Sequence, residues 1–60
     1  MNNFEPGDRI GDKAGNTYLI LDRRTMAGGR AKPELQLRRE RDNAERWIDE
    51  EIVNSFSFMV

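Results

Sequence analysis

The chain contains no histidine and no cysteine, so the commonest general base, the commonest thiol nucleophile and most transition-metal ligands are missing. Chemistry would have to come from Asp, Glu, Lys, Tyr and hydroxyl groups. The densest cluster of these is Asp49-Glu50-Glu51. On a strand Asp49 and Glu51 would project together, as a Mg²⁺ or Ca²⁺ site asks. The same residues read first as a solvated acidic edge, neutralised by an arginine-rich neighbouring strand. Gly28-Gly29-Arg30-Ala31-Lys32 sets glycines beside basic residues, but it lacks the Gly-x-x-x-x-Gly-Lys-Ser/Thr pattern of a phosphate loop. We therefore expect no enzymatic activity, no catalytic residue, no metal site and no cofactor. A binding function is what remains.

Two classes of partner compete. The formal net charge is −1, yet Met1–Asp22 sums to −2, Arg23–Arg46 to +4 and Trp47–Val60 to −3. The middle of the chain is thus a basic island between acidic flanks. It can grip an acidic surface, or neighbouring strands can neutralise it within the fold. As a protein-interaction or inhibitor-type module, the chain would use Tyr18, Trp47 and an arginine-rich loop as anchors, because Trp, Tyr and Arg dominate interface hot spots. Trp47 could equally fill the core. As a nucleic-acid module it would use the segment 23–41, with Arg23, Arg24, Arg30, Lys32, Arg38, Arg39 and Arg41 on phosphates. Glu34, Glu40 and Asp42 weaken that field, and no aromatic residue lies between Asp22 and Arg46 to stack on bases. Protein binding ranks first. The expected binding residues are Tyr18, Arg23, Arg24, Arg30, Lys32, Arg38, Arg39 and Trp47.

These residues need a scaffold, and 60 residues make one domain, 1–60, with one small core. With no disulfide to reinforce it, a homo-oligomer is a live option. The longest apolar run is Tyr18–Leu21, far short of the ~20 residues of a membrane span. Met1 is followed by asparagines rather than by a basic and then an apolar region, so no signal peptide is expected, and the absence of cysteine fits a cytoplasmic location.

Turn signals fall at Pro6-Gly7 and Gly15-Asn16. Between them Arg9–Lys13 reads as a short strand anchored by Ile10. Thr17–Arg23 is the surest strand, with Leu19 and Leu21 on one face and Tyr18 and Ile20 on the other. Arg24–Pro33 reads as a long, mobile, exposed loop. Leu35 and Leu37 alternate with polar residues, Asp42-Asn43 can turn the chain, Glu45–Glu50 can return, and Phe56, Phe58 and Val60 share a face in strand periodicity. The competing pattern sets Ala44, Trp47, Ile48, Ile52 and Phe56 at helical spacing, which would make a β-hairpin followed by a long C-terminal helix. We favour strands, with a short helical or 3₁₀ turn at 50–54. The expected core is Ile10, Leu19, Leu21, Leu35, Leu37, Ile48 and Phe58.

Phe4-x-Pro6-Gly7-Asp8-Arg9-Ile10, the Gly15-Asn16 turn, the strand after it, Leu35-x-Leu37-Arg38, Trp47-Ile48-Asp49-Glu50 and a final strand together resemble an SH3-like β-barrel. The likeness spans nearly the whole chain. It implies a mainly β fold of about five strands. Phe4, Gly7, Asp8, Arg9 and Lys13 are also similar to the start of the type II dihydrofolate reductases, small SH3-like barrels that work as tetramers. Their pore-forming Val-Gln-Ile-Tyr segment does not occur here, so that activity is not implied. In size and style the chain is similar to small barrel proteins of phages and mobile elements.

Overall fold

The computed structural model describes residues 4–25 and 32–60. Five antiparallel strands form one sheet: β1 (Arg9–Asp12), β2 (Thr17–Thr25), β3 (Pro33–Arg39), β4 (Glu45–Asp49) and β5 (Ser57–Met59), with one helix, α1 (Glu50–Phe56), between the last two. The order across the sheet is β4-β3-β2-β1-β5. The fold is thus mainly β, as expected, and its single helix lies where a helical turn was read. The alternative of a β-hairpin followed by a long C-terminal helix does not form, since Pro33–Arg39 and Glu45–Asp49 are strands. The sheet is open, because β4 and β5 are its two edges, so the expected barrel does not close by strand pairing.

Local chemistry sets each turn. Asp8 N–H donates to the Glu5 carbonyl at 3.0 Å and Glu5 N–H to Asp8 Oδ2 at 3.0 Å. This turn carries Phe4 into the core, and Gly7 N–H then reaches the Ile20 carbonyl at 2.8 Å. At the β1–β2 turn, Asp12 Oδ1 accepts the N–H groups of Ala14 and Asn16, each at 3.0 Å. Gly15 takes the left-handed φ of 89° there, which costs glycine little. Asn43, an αL-tolerant residue at φ 60°, does the same for the β3–β4 hairpin. Glu50 and Glu51 stand in the first turn of α1, where the helix dipole favours negative charge.

The core consists of Phe4, Ile10, Ile20, Leu35, Leu37 and Val53, flanked by Tyr18, Ile48 and Phe56. Ile10, Leu35 and Leu37 are where the sequence places them, and Ile48 is partly buried against them. Leu19 and Leu21 are not in the core. The register pairs Ile20 with Leu37 and Tyr18 with Ile10, whereas Leu19 stands opposite Arg9 and Arg38 on the outer face. A one-residue change of parity moves every side chain of a strand to the other face, so the choice between Leu19 and Ile20 rests with the partner strands. Leu21 is the extra residue of a bulge between Ile20 and Asp22.

Phe58 is also not core, being 52% exposed on the outer face opposite Gly11. Phe56 does not share its face, since it closes α1 and meets Tyr18 edge-on at 6.5 Å between ring centroids. Phe4 and Val53 take the vacant places. The anticipated loop is shorter than read: β2 continues through Arg24 and Thr25, and β3 begins at Pro33. Its central residues 26–31, and with them the expected mobility, lie outside the described residues. Among the described residues, no helix is long and apolar enough to cross a membrane.

Candidate functional site

Carboxylates of β3, α1 and the β3–β4 turn neutralise much of the basic island. Arg23 Nε binds Glu50 Oε2 at 2.9 Å, Arg24 Nε binds Glu34 Oε1 at 3.0 Å, Lys32 Nζ reaches Glu51 Oε2 at 3.2 Å and Arg39 Nη2 binds Asp42 Oδ2 at 2.7 Å. Arg9 forms a two-point contact with Glu40. The carboxylates hold the guanidinium pKa values of Arg9, Arg23 and Arg39 above their ordinary value, and the same contacts lower those of Glu40 and Asp42. Asp49, Glu50 and Glu51 do not converge on a common point. Helix α1 starts at Glu50, which turns Glu50 to Arg23 and Glu51 to Lys32 and overturns the strand geometry a shared cation would require. Among the described residues, no acidic cluster could hold a metal ion.

The predicted binding residues divide between the two faces. Tyr18 lies on the inner face, half-buried, with its hydroxyl donating to Asp12 Oδ2 at 3.0 Å. Burial, then this bond, raises its pKa. It is a packing residue beside Phe56 rather than an exposed anchor. Arg23 shares that face, opposite Leu35. Arg39 pairs across the ladder with Tyr18. Arg38 stands on the outer face opposite Glu45, and Arg30 lies outside the described residues.

Arg24 and Trp47 come together. Arg24 is opposite Glu34 on β3 and Trp47 is opposite Gln36, so both project from the outer face, on the two strands that flank β3 and offset by two residues along it. The Arg24 guanidinium lies 3.9 Å from the Trp47 ring centroid, within cation–π range. Trp47 is half-buried and takes no part in the core cluster.

Sequence reasoning missed a hollow on the inner face. A cleft of about 80 Å³ is lined by Tyr18, Leu37, Arg39, Ala44, Arg46 and Ile48. It has room for one side chain, far below the ~300 Å³ at which small-molecule sites begin. The alternation of Ala44, Arg46 and Ile48 was the available signal, obscured because Ala44 and Ile48 also fit a helical stripe. A second cleft, of about 270 Å³, is lined by Phe4, Glu5, Arg23 and Glu50 and is occupied at its rim by the Arg23–Glu50 pair. No protein-family model, curated protein or solved structure is significantly similar to the chain.

Proposed function

We propose that this chain is a non-enzymatic, SH3-like binding module of the cytosol whose partner is a protein. The observation that carries the reading is the Arg24–Trp47 stack on the outer face, an aromatic anchor whose geometry is held by a cation that is itself held by Glu34. Anchors of this kind, pre-organised and only partly covered, contribute most to protein interfaces. Neutralisation of the basic island supports the same ranking. Arg23, Arg24, Lys32 and Arg39 each meet a carboxylate, and phosphate binding would have to displace it.

Nucleic acid is the second reading. It uses the basic segment 23–41, in which Arg38 and Arg41 form no ion pair among the described residues. Two measurements separate the readings. Capture from lysate should survive nuclease and be lost with Trp47→Ala. Salt-titrated fluorescence anisotropy should find only weak nucleic-acid affinity, and replacing Arg38 and Arg41 together by Ala should leave protein affinity measurable. Submicromolar nucleic-acid affinity at physiological salt with a steep salt dependence would reverse the ranking.

A further inference from the structure

Strand β4 has one neighbour. Arg39 N–H donates to the Ala44 carbonyl at 2.9 Å, which fixes the phase of the β3–β4 ladder. Arg46 and Ile48, opposite Leu37 and Leu35, turn their backbone groups toward β3, so those of Glu45 and Trp47 and the N–H of Asp49, whose carbonyl opens α1, point out of the sheet. No strand covers this edge among the described residues. The 80 Å³ hollow lies along it on the inner face, beneath Ala44, Arg46 and Ile48. The edge therefore offers both parts of a strand-addition site: unsatisfied main-chain groups and a recess for alternate side chains.

We infer that β4 accepts an extended peptide segment of another protein as a sixth, antiparallel strand, and that this segment carries an acidic residue opposite Arg46 and an aliphatic one opposite Ile48. This inference rests on the protein-binding reading above and specifies its partner's form. Charge selects the occupant. Arg46 has no carboxylate partner among the described residues, so an incoming acid would find its counter-charge, while an aliphatic neighbour fills the hollow beside Ile48. On the outer face Glu45 and Asp49 would meet basic residues. Antiparallel pairing therefore asks for the order Lys-Val-Thr-Glu-Lys, with Val opposite Ile48, Thr opposite Trp47 and Glu opposite Arg46.

A second copy of β4 does not satisfy this pattern. Centred on Trp47, it sets Glu45 opposite Asp49 of the copy. Shifted toward the hairpin, it sets Arg46 opposite itself, and like charges opposite one another destabilise a ladder. Shifted toward α1, it leaves only Trp47 to Asp49 in register, because the strand ends there.

The probe is the peptide Thr-Lys-Val-Thr-Glu-Lys-Thr, acetylated and amidated, titrated into the full chain and followed by amide NMR shifts and hydrogen exchange. Saturable shifts and slowed exchange at Glu45, Trp47 and Asp49 are expected. N-methylating the two Lys and the central Thr, whose N–H groups face β4, should abolish binding. N-methylating Glu and Val should not. The charge-swapped peptide Thr-Glu-Val-Thr-Lys-Glu-Thr should bind at least tenfold more weakly.

Asp49 has φ −55°, close to proline's fixed angle, and its N–H faces outward. Asp49→Pro should therefore keep the wild-type melting temperature and weaken the peptide at least tenfold. Absence of saturable shifts, shifts confined to Leu19, Phe58 and Val60, or equal affinity for the swapped peptide would overturn the inference. If that happens while Trp47→Ala still abolishes partner capture, the edge is wrong and the binding module stands. If capture ignores Trp47 as well, the module reading fails on its own account.

Discussion

The guanidinium of Arg24 stands 3.9 Å from the centroid of the Trp47 ring, with its Nε donating to Glu34 Oε1 at 3.0 Å. The three residues come from three adjacent strands, so the ladder register brings them together, not proximity in sequence. Exposed cation–π contacts contribute about 0.5–1 kcal/mol, and a surface ion pair about as little. Arg24→Ala should accordingly leave thermal stability within about 1 kcal/mol of wild type while loosening the indole, seen as a weakened near-ultraviolet circular dichroism band. Trp47→Ala should lower partner affinity by at least ~2 kcal/mol, the range of an interface hot spot, with a far smaller effect on folding. A large loss of stability in Trp47→Ala would instead make Trp47 a packing residue.

Ile20 and Leu19 give a direct test of the core. Ile20 is 1% exposed and faces Leu37, whereas Leu19 faces Arg9 and Arg38. Truncating a buried aliphatic to Ala costs about 2–5 kcal/mol. With six fully buried side chains among the described residues, Ile20→Ala should unfold the protein or lower its denaturant midpoint severely. Leu19→Ala should cost less than ~1.5 kcal/mol. The reverse order would mean that the register is shifted by one residue.

That comparison shows what the residues alone could reveal. Turns at Pro6-Gly7, Gly15-Asn16 and Asp42-Asn43 have a local chemical cause and are legible, as is the strand type of Leu35 and Leu37. The face of β2 is not legible, because Tyr18, Leu19, Ile20 and Leu21 are all apolar and only cross-strand partners break the tie. Phe58 was misplaced for the same reason, since Gly11 opposite it has no side chain with which to declare a face. Arg24 and Trp47 were both singled out, but their contact depends on strand register. The edge beside Arg46 is invisible in the sequence, because it exists only where the sheet stops.

Gly11 carries a close approach that is open to test. A Cβ built there would lie 3.2 Å from Val60 Cγ2 and 3.5 Å from Phe58 Cε2. Val60 is 66% exposed and can yield by a few tenths of an ångström. Glycine also leaves the unfolded chain more freedom than alanine does, so Gly11→Ala should stabilise the protein by about 0.4–1 kcal/mol. Gly11→Val should destabilise it by pushing Phe58 and Val60 off the strand. Chemical denaturation of the two variants beside wild type measures both signs.

Acid should unfold this protein through a small set of named carboxylates. Asp12 is raised by partial burial but lowered more by hydrogen bonds from Asn16, Tyr18 and Ala14, leaving a net lowered pKa. Glu40 is lowered by Arg9, and Asp42 is lowered strongly by Arg39, whose guanidinium donates to both its oxygens. Above the ordinary carboxylate value of about 4 all three are ionised in both states, and their stabilisation is fully present. As pH falls below that value the unfolded chain takes up protons first, so stability declines until the folded carboxylates are protonated as well. Urea midpoints should be level near neutrality and fall steadily below about pH 4, and Asp42→Asn should flatten the decline. At the other limb Tyr18 is raised above its ordinary value of 10.0, so its contribution is complete below that pH and is lost as pH climbs through the folded value. Tyr18→Phe should remove the alkaline decline while leaving the acid limb in place, because Asp12 keeps its bonds from Ala14 and Asn16. An alkaline decline unchanged in Tyr18→Phe would mean that another group governs it.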